Sequence, residues 1–402
     1  MKKLISALLV LTMVFVMMPT LALIGSAEGE GAIVLPGDCF HSRLSYTDNG
    51  DGTHTVTCLD CSAVINAAQS HTYVSGVCSL CGATEPAAEL TDPDLTIVST
   101  SLSLQSYIGA QFAVNTTAAA EYDSVYVVVT QSTPSGDLEY TLTDNIGAAS
   151  NSFAYEHKLA AAEMTDNISA TVYGVKGEDV YTGGSVENWT VKQAAVSRLD
   201  QYYKYVDRYP QYRAYCVMVV DMLNYGAEAQ TTFNRATNRL ANADLDSKYV
   251  ALGTATTPTI ADTSAVTATG ATGVTVYSTA LGVEASVQLQ VTFKLPSKAS
   301  YTNYEVHYSI NGRSYVVDGA DLANAGSSSY VTLVINEVAS AEMRLPVSVT
   351  VYTKSTSQPA SATYTYSVES AAYPKVGTAL DGIVKAMIRY GDSADAYFNY
   401  GA

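Results

Sequence analysis

The sequence is short of tryptophan, of charge and of any catalytic signature. One tryptophan, Trp189, stands against 30 tyrosines, and charged residues make up 15% of the 402 positions. Lys and Arg number 21 against 38 Asp and Glu, a formal charge of −17, with no basic stripe. That excludes nucleic acid and anionic membrane as expected partners, since both are held by clustered cations. No G-x-S-x-G, H-E-x-x-H or phosphate-binding loop occurs, and His157 and His307 stand singly in β-rich stretches. The chain therefore reads as non-enzymatic. A carboxylate pair of the glycosidase kind, whose members meet only in the fold, is the catalytic class that spacing leaves open.

Long apolar runs are also scarce. The clear one, Leu4 to Met18, follows Lys2 and Lys3 and is broken at Pro19, with Gly25-Ser26-Ala27 ahead of Glu28. It is too short to span a bilayer comfortably, and small residues suit signal peptidase. Residues 1–27 are thus expected to be a cleaved secretory signal. No cysteine stands at the cleavage point for lipid attachment and no hydrophobic tail follows, so no membrane span is expected after cleavage. The expected location is extracellular, with possible retention at a cell surface. Removing Lys2 and Lys3 takes the charge from −17 to about −19.

Cysteine is rare and concentrated. Five of the six cysteines and three of the five histidines fall within 38–85, which marks a small module of its own. "CLDC" (58–61) and "CSLC" (78–81) are separated by 16 residues. Two such pairs fit a zinc ribbon, each pair supplying two thiolates from a hairpin tip. Cys39, His41, His54 and His71 add further donors, so eight are available, enough for one or two structural zinc ions. A disulfide framework is the competing reading for an exported chain. "TDNGDGTH" (47–54) and "HTYVSGVC" (71–78) read as hairpin turns leading into the two pairs.

The remainder looks duplicated. "AEMTDNISATVY" (162–173) matches "AEMRLPVSVTVY" (341–352) at an offset of 179, and "MLNYGAEAQTTFN" (222–234) matches "MIRYGDSADAYFN" (387–399) at 165. The first copy has a longer approach to its closing phrase, "DQYYKYVDRYPQYRAY" (200–215). Acidic, proline-containing 86–94 and Thr/Ala-rich 246–268 read as linkers, which leaves 95–245 and 269–402 as tandem domains. Alternating runs such as "YDSVYVVVT" (122–130) and "ASVQLQVTFKL" (285–295) predict short antiparallel strands in a sandwich. The expected fold class is mainly β with helices: a zinc-ribbon-like module, then two Ig/fibronectin-like β-sandwiches, each closed by a C-terminal helix or helix pair.

That closing helix carries Tyr215, Val219, Met222, Gly226, Ala229 and Phe233 on one face in copy one. Leu380, Val384, Met387, Gly391, Ala394 and Phe398 repeat the pattern in copy two. A glycine in an apolar helical stripe costs about 1 kcal/mol against alanine, which predicts a backbone approach too close for a side chain. The tyrosines suit half-buried strand and helix faces, and exposed ones could stack on sugar rings.

The phrases "HSRLSYTDNGDGTHTVTCLDC" and "HTYVSGVCSLCG" resemble small His/Cys-rich modules of surface and secreted proteins from gut-dwelling clostridia and ruminococci. "MLNYGAEAQTTFN" and "MIRYGDSADAYFN" resemble the uncharacterised tandem domains that accompany them. The resemblance implies a modular, exported protein with zinc at Cys58, Cys61, Cys78 and Cys81, and with His41, His54 and His71 in the usual positions. The resulting expectation is an extracellular binding or adhesion protein for an unidentified protein or glycan. A glycan-binding accessory to carbohydrate-active enzymes is the alternative, and an undetected hydrolase the third reading.

Overall fold

A computed structural model describes residues 43–84, 90–104, 107–146, 153–267, 273–283, 287–336 and 338–400. The expected signal segment 1–27, Cys39 and His41 lie outside the described residues. The chain divides into two compact units, Met1–Ala88 and Glu89–Ala402.

In the first unit, β1 (Leu44–Asp48), β2 (Thr53–Cys58) and β3 (Val64–Ser70) form an antiparallel sheet in that order. The turn between β1 and β2 contains Gly50 and Gly52, both with positive φ, a region glycine enters without steric cost. A second hairpin joins β4 (Tyr73–Val74) to β5 (Val77–Cys78). Its two-residue turn places Ser75 at φ 55° and Gly76 at φ 78°, the primed geometry that matches strand twist.

The second unit holds the duplicated part. In its first half come β6 (Leu90–Thr91), β7 (Ile97–Ser103), β8 (Gly109–Val114), α1 (Thr116–Ala119), β9 (Ser124–Thr133), β10 (Gly136–Leu142), β11 (Phe153–Lys158), β12 (Asn167–Lys176) and β13 (Asp179–Trp189). They pair as β10-β9-β12-β13-β6 and β11-β8-β7. Helices α2 (Val191–Tyr202), α3 (Pro210–Thr232) and α4 (Ser247–Val250) follow. The second half repeats the plan with β14 (Ala265–Thr267), β15 (Thr275–Gly282), β16 (Gln288–Lys294), β17 (Tyr304–Ile310), β18 (Arg313–Asp318), β19 (Tyr330–Ile335), β20 (Val347–Thr353), β21 (Gln358–Pro359) and β22 (Thr363–Tyr366). Its sheets are β14-β22-β20-β17-β18, with β21 on β20, and β15-β16-β19. Helices α5 (Val368–Ala372) and α6 (Asp381–Phe398) close it.

The protein is therefore mainly β, with several sheets and a few helices. Strand alternation explains the layering. On β9, Val125, Val127 and Val129 are buried while Tyr126, Val128 and Thr130 are partly exposed. Phe112 on β8 and Ile168, Ala170 and Val172 on β12 join the same core. Each sheet thus has one apolar face, and two such faces enclose the core of a sandwich. Leu289, Val291 and Phe293 on β16 do this with Val306 and Ile310 on β17 in the second copy.

The helices begin where their caps allow. Thr190 accepts the Gln193 amide at 3.0 Å to start α2, Pro210 occupies the first turn of α3, and Ser367 accepts the Ser370 amide at 3.1 Å to start α5. Helix α3 packs on the 3-10 turn Ala161–Glu163, and α6 packs on its counterpart Ser340–Glu342. A Cβ on Gly226 would lie 2.5 Å from Met164 Sδ and 3.1 Å from the Ala161 carbonyl oxygen. One on Gly391 would lie 2.8 Å from Met343 Sδ and 3.1 Å from Met343 Cβ. Both glycines face a neighbouring segment so closely that a side chain would have to displace the methionine opposite.

Helices α3 and α6 also pack on each other. Tyr215 meets Tyr397 and Tyr225 meets Tyr390, so the pair runs antiparallel and the two equivalent tyrosines lie together at its centre. Residues 246–267 of the stretch that is linker-like in composition are engaged with the fold. Tyr249 is buried, Thr254 donates to Asp221, and β14 adds to the second sandwich. No helix among the described residues is long and apolar enough to cross a membrane.

Candidate metal centre

Alternation along β2 turns His54, Val56 and Cys58 to its buried face. His54 sits at the turn end beside its β1 partner Asp48, and Cys58 at the far end. Four residue steps along the strand separate them by about 13 Å. Beyond Cys58 the chain bends into a knuckle in which the Cys58 amide bonds the Ala63 carbonyl oxygen and the Ser62 amide bonds the Cys58 carbonyl oxygen, both at 2.9 Å. The second pair copies this: the Cys78 amide reaches Ala83 at 2.7 Å, and the Gly82 amide reaches Cys78 at 2.9 Å. Ser62 and Gly82 take the left-handed conformation that turns each chain back.

Four donors converge. The ligand atoms of His54, His71, Cys78 and Cys81 all lie within 4.8 Å of one another. Cys81 Sγ is 3.5 Å from His71 Nε2, and Cys78 Sγ is 3.9 Å from His54 Nδ1. Metal–nitrogen bonds of about 2.0–2.1 Å and metal–sulfur bonds of about 2.3 Å set tetrahedral donor separations of about 3.3–3.8 Å. The cluster is close to that spacing, and Cys78 and Cys81 are both free thiols rather than a disulfide.

The surroundings suit a cation. Backbone amides of Cys81 and Leu80 donate to the Cys78 sulfur and pull its pKa down to about 6, toward the thiolate a metal requires. Desolvation pushes Cys81 the other way. The Tyr73 hydroxyl lies 2.8 Å from His71 Nδ1, which fixes the ring and leaves Nε2 turned to the cluster, with Asp48 Oδ1 at 3.5 Å. The His54 and His71 rings stack at 5.2 Å. His54 Nε2 is buried with no hydrogen-bond partner, an expensive state that a bound ion would relieve if that nitrogen is the ligand.

Among the described residues the donors that come within reach of one another are these four, rather than the two Cys pairs that the ribbon reading joined on one ion. In that group His54 and His71 accompany the second pair, and β2 carries Cys58 about 13 Å along the strand from the His54 end. Cys58 and Cys61 stand on their own knuckle, and Cys39 and His41 lie outside the described residues. His54 and His71 were visible as donors in the sequence. The choice between them and the first Cys pair was not, because spacing along the chain does not say which hairpin end faces which.

The lone histidines of the second unit are placed otherwise. His157 is buried, accepts no cation and sits 3.0 Å from Gln131 Oε1, with burial pushing its pKa down to about 4. His307 lies 2.8 Å from Glu305 Oε1 on a half-exposed strand face. Cys216 is fully buried in α3, and desolvation raises its thiol to about 11.

No family model and no curated protein matches the chain. A solved structure, that of the chicken CNTN1 FN1–FN3 domains, is similar at 8% identity over 70% of each chain, with a TM-score of 0.17.

Proposed function

We propose that this is an exported, non-enzymatic binding or adhesion protein, built from a zinc-stapled module and two Ig/fibronectin-like sandwiches. The observation that carries the reading is the closed four-donor cluster of His54, His71, Cys78 and Cys81. Four protein ligands leave no position for a reacting water, so the ion there is structural. A module as small as 43–84 cannot bury enough apolar surface to hold itself together and gains its fold from such a staple. The sandwich assignment draws on strand order. In the lettering of Ig-like domains, β7, β8 and β11 take the A, B and E places beside the C, F and G places of β9, β12 and β13, and the second copy repeats this order.

Metal analysis of the mature protein, purified reduced and without chelator, should find one or two equivalents of zinc. A second equivalent would belong to Cys39, His41, Cys58 and Cys61. Chelation should unfold residues 43–84 and leave the second unit's near-ultraviolet circular dichroism unchanged. Less than about half an equivalent of metal, or Cys58, Cys61, Cys78 and Cys81 all found in disulfides, would reject the zinc assignment. Export is tested separately by N-terminal sequencing of protein from the culture medium, which should begin near Glu28. For the ligand, binding of protein-coated beads to cells should be abolished by protease pretreatment. Loss on periodate instead, with signal on a glycan array, would move the assignment to the glycan-binding accessory.

A further inference from the structure

The two copies line a part-open cavity of about 240 Å³ beside the Tyr225–Tyr390 contact of α3 and α6. Its wall is duplicated. Leu159 and Val338, Ala161 and Ser340, and Tyr225 and Tyr390 are equivalent pairs, and each pair places one member from either copy around the same space. The Tyr225 and Tyr390 rings lie nearly parallel, 18° apart with centroids at 6.2 Å. Two polar groups of this wall are already engaged: Ser340 Oγ donates to the Leu104 carbonyl oxygen at 2.9 Å, and Tyr390 Oη approaches the same oxygen at 3.5 Å. What remains toward the cavity is mostly aliphatic and aromatic surface.

One charge lines it among the described residues. Lys158 is exposed, lies with Nζ 4.2 Å from the centroid of the Tyr107 ring, and pairs with no carboxylate among the described residues. Glu156, the nearest acid on that strand, accepts the Tyr107 hydroxyl and a Gln111 amide at 3.4 Å instead. In a chain with a net charge of −17, an unpaired cation over an apolar cavity selects for an anion with an apolar body. Size narrows the class further. An apolar cavity of about 150 Å³ holds benzene, so this one has room for a fused two-ring system and little more.

We propose that this cavity is a binding site for a small aromatic carboxylate, with the ring between the paired walls and the carboxylate at Lys158. Indole-3-acetate is the probe, with indole-3-ethanol as its uncharged counterpart, both titrated calorimetrically into the full mature protein. Saturable binding of the acid at one equivalent per chain is expected. Lys158→Met should weaken the acid about three- to tenfold and leave the alcohol unchanged. Ala161→Leu should abolish binding of both. Val338→Trp fills the cavity from the other copy and serves if the first variant does not fold, as judged by circular dichroism. Absence of saturable heat from either probe overturns the proposal, as does binding that survives a folded plugged variant. Equal weakening of acid and alcohol by Lys158→Met would remove the anionic half of the assignment.

Discussion

Gly391 shows how one missing side chain sets the fit of a helix. Replacing it with alanine would raise helix propensity by about 1 kcal/mol, but the new methyl would meet Met343 Cβ, which cannot swing aside as a thioether sulfur can. With leucine the added volume outweighs propensity, and Gly391→Leu should destabilise by about 1–3 kcal/mol, read as a lowered urea midpoint. A raised midpoint would mean the glycine faces water. His157 makes a different prediction. Its pKa is about 4 when folded against 6.5 as a free side chain, so the unfolded chain binds the proton that the folded protein refuses. Its neutral, buried state is fully stabilising above about pH 6.5, and that contribution falls away as pH drops toward 4, by about 3 kcal/mol in all. His157→Gln should flatten the stability profile between pH 6.5 and 5, and an unchanged slope would show that His157 is not the group responsible.

At the level of elements, α3 and α6 are joined by more than their aromatic seam. Asp221, fully buried on α3, accepts the Thr254 amide at 3.1 Å, the Thr254 hydroxyl at 2.7 Å and the Ser393 hydroxyl from α6. A buried carboxylate is tolerable only while its lone pairs are met. Ser393→Ala removes one of its donors, and the expected cost is about 1–3 kcal/mol in thermal or urea unfolding. Thr254, in the segment of linker-like composition, is part of the same bond set, which explains why that stretch is held against the fold. A variant as stable as the wild type would show that Asp221 finds another donor.

In the second unit the two repeated helical phrases pack on each other antiparallel, with the equivalent Tyr225 and Tyr390 in contact. Because α3 and α6 descend from one repeated phrase, a lone second copy would present a helix face whose partner is nearly a copy of itself. A 260–402 fragment, which keeps β14, should therefore form a symmetric dimer, with Tyr390 against Tyr390 where Tyr225 now stands. Light scattering reads the mass directly. A stable monomer at micromolar concentration would show that the helix pair adds nothing to the folding of a single copy.

Much of this was legible along the chain. Period-two alternation of Val, Thr and Tyr located strands such as β9 and β12, and the three- and four-residue spacing around Gly226 and Gly391 located α3 and α6, because local patterns report which face is buried. The residues of the His54, His71, Cys78 and Cys81 cluster were legible for the same reason: His, Cys and tight turns carry their chemistry in their identity. Tertiary structure decided the rest. That His54 and His71 join Cys78 and Cys81 depends on the roughly 13 Å of strand between His54 and Cys58. That the two copies share a cavity depends on two helices, 165 residues apart, meeting antiparallel. Such pairings are set by the complementarity of surfaces that exist only once each element has formed, and no local run of residues encodes them.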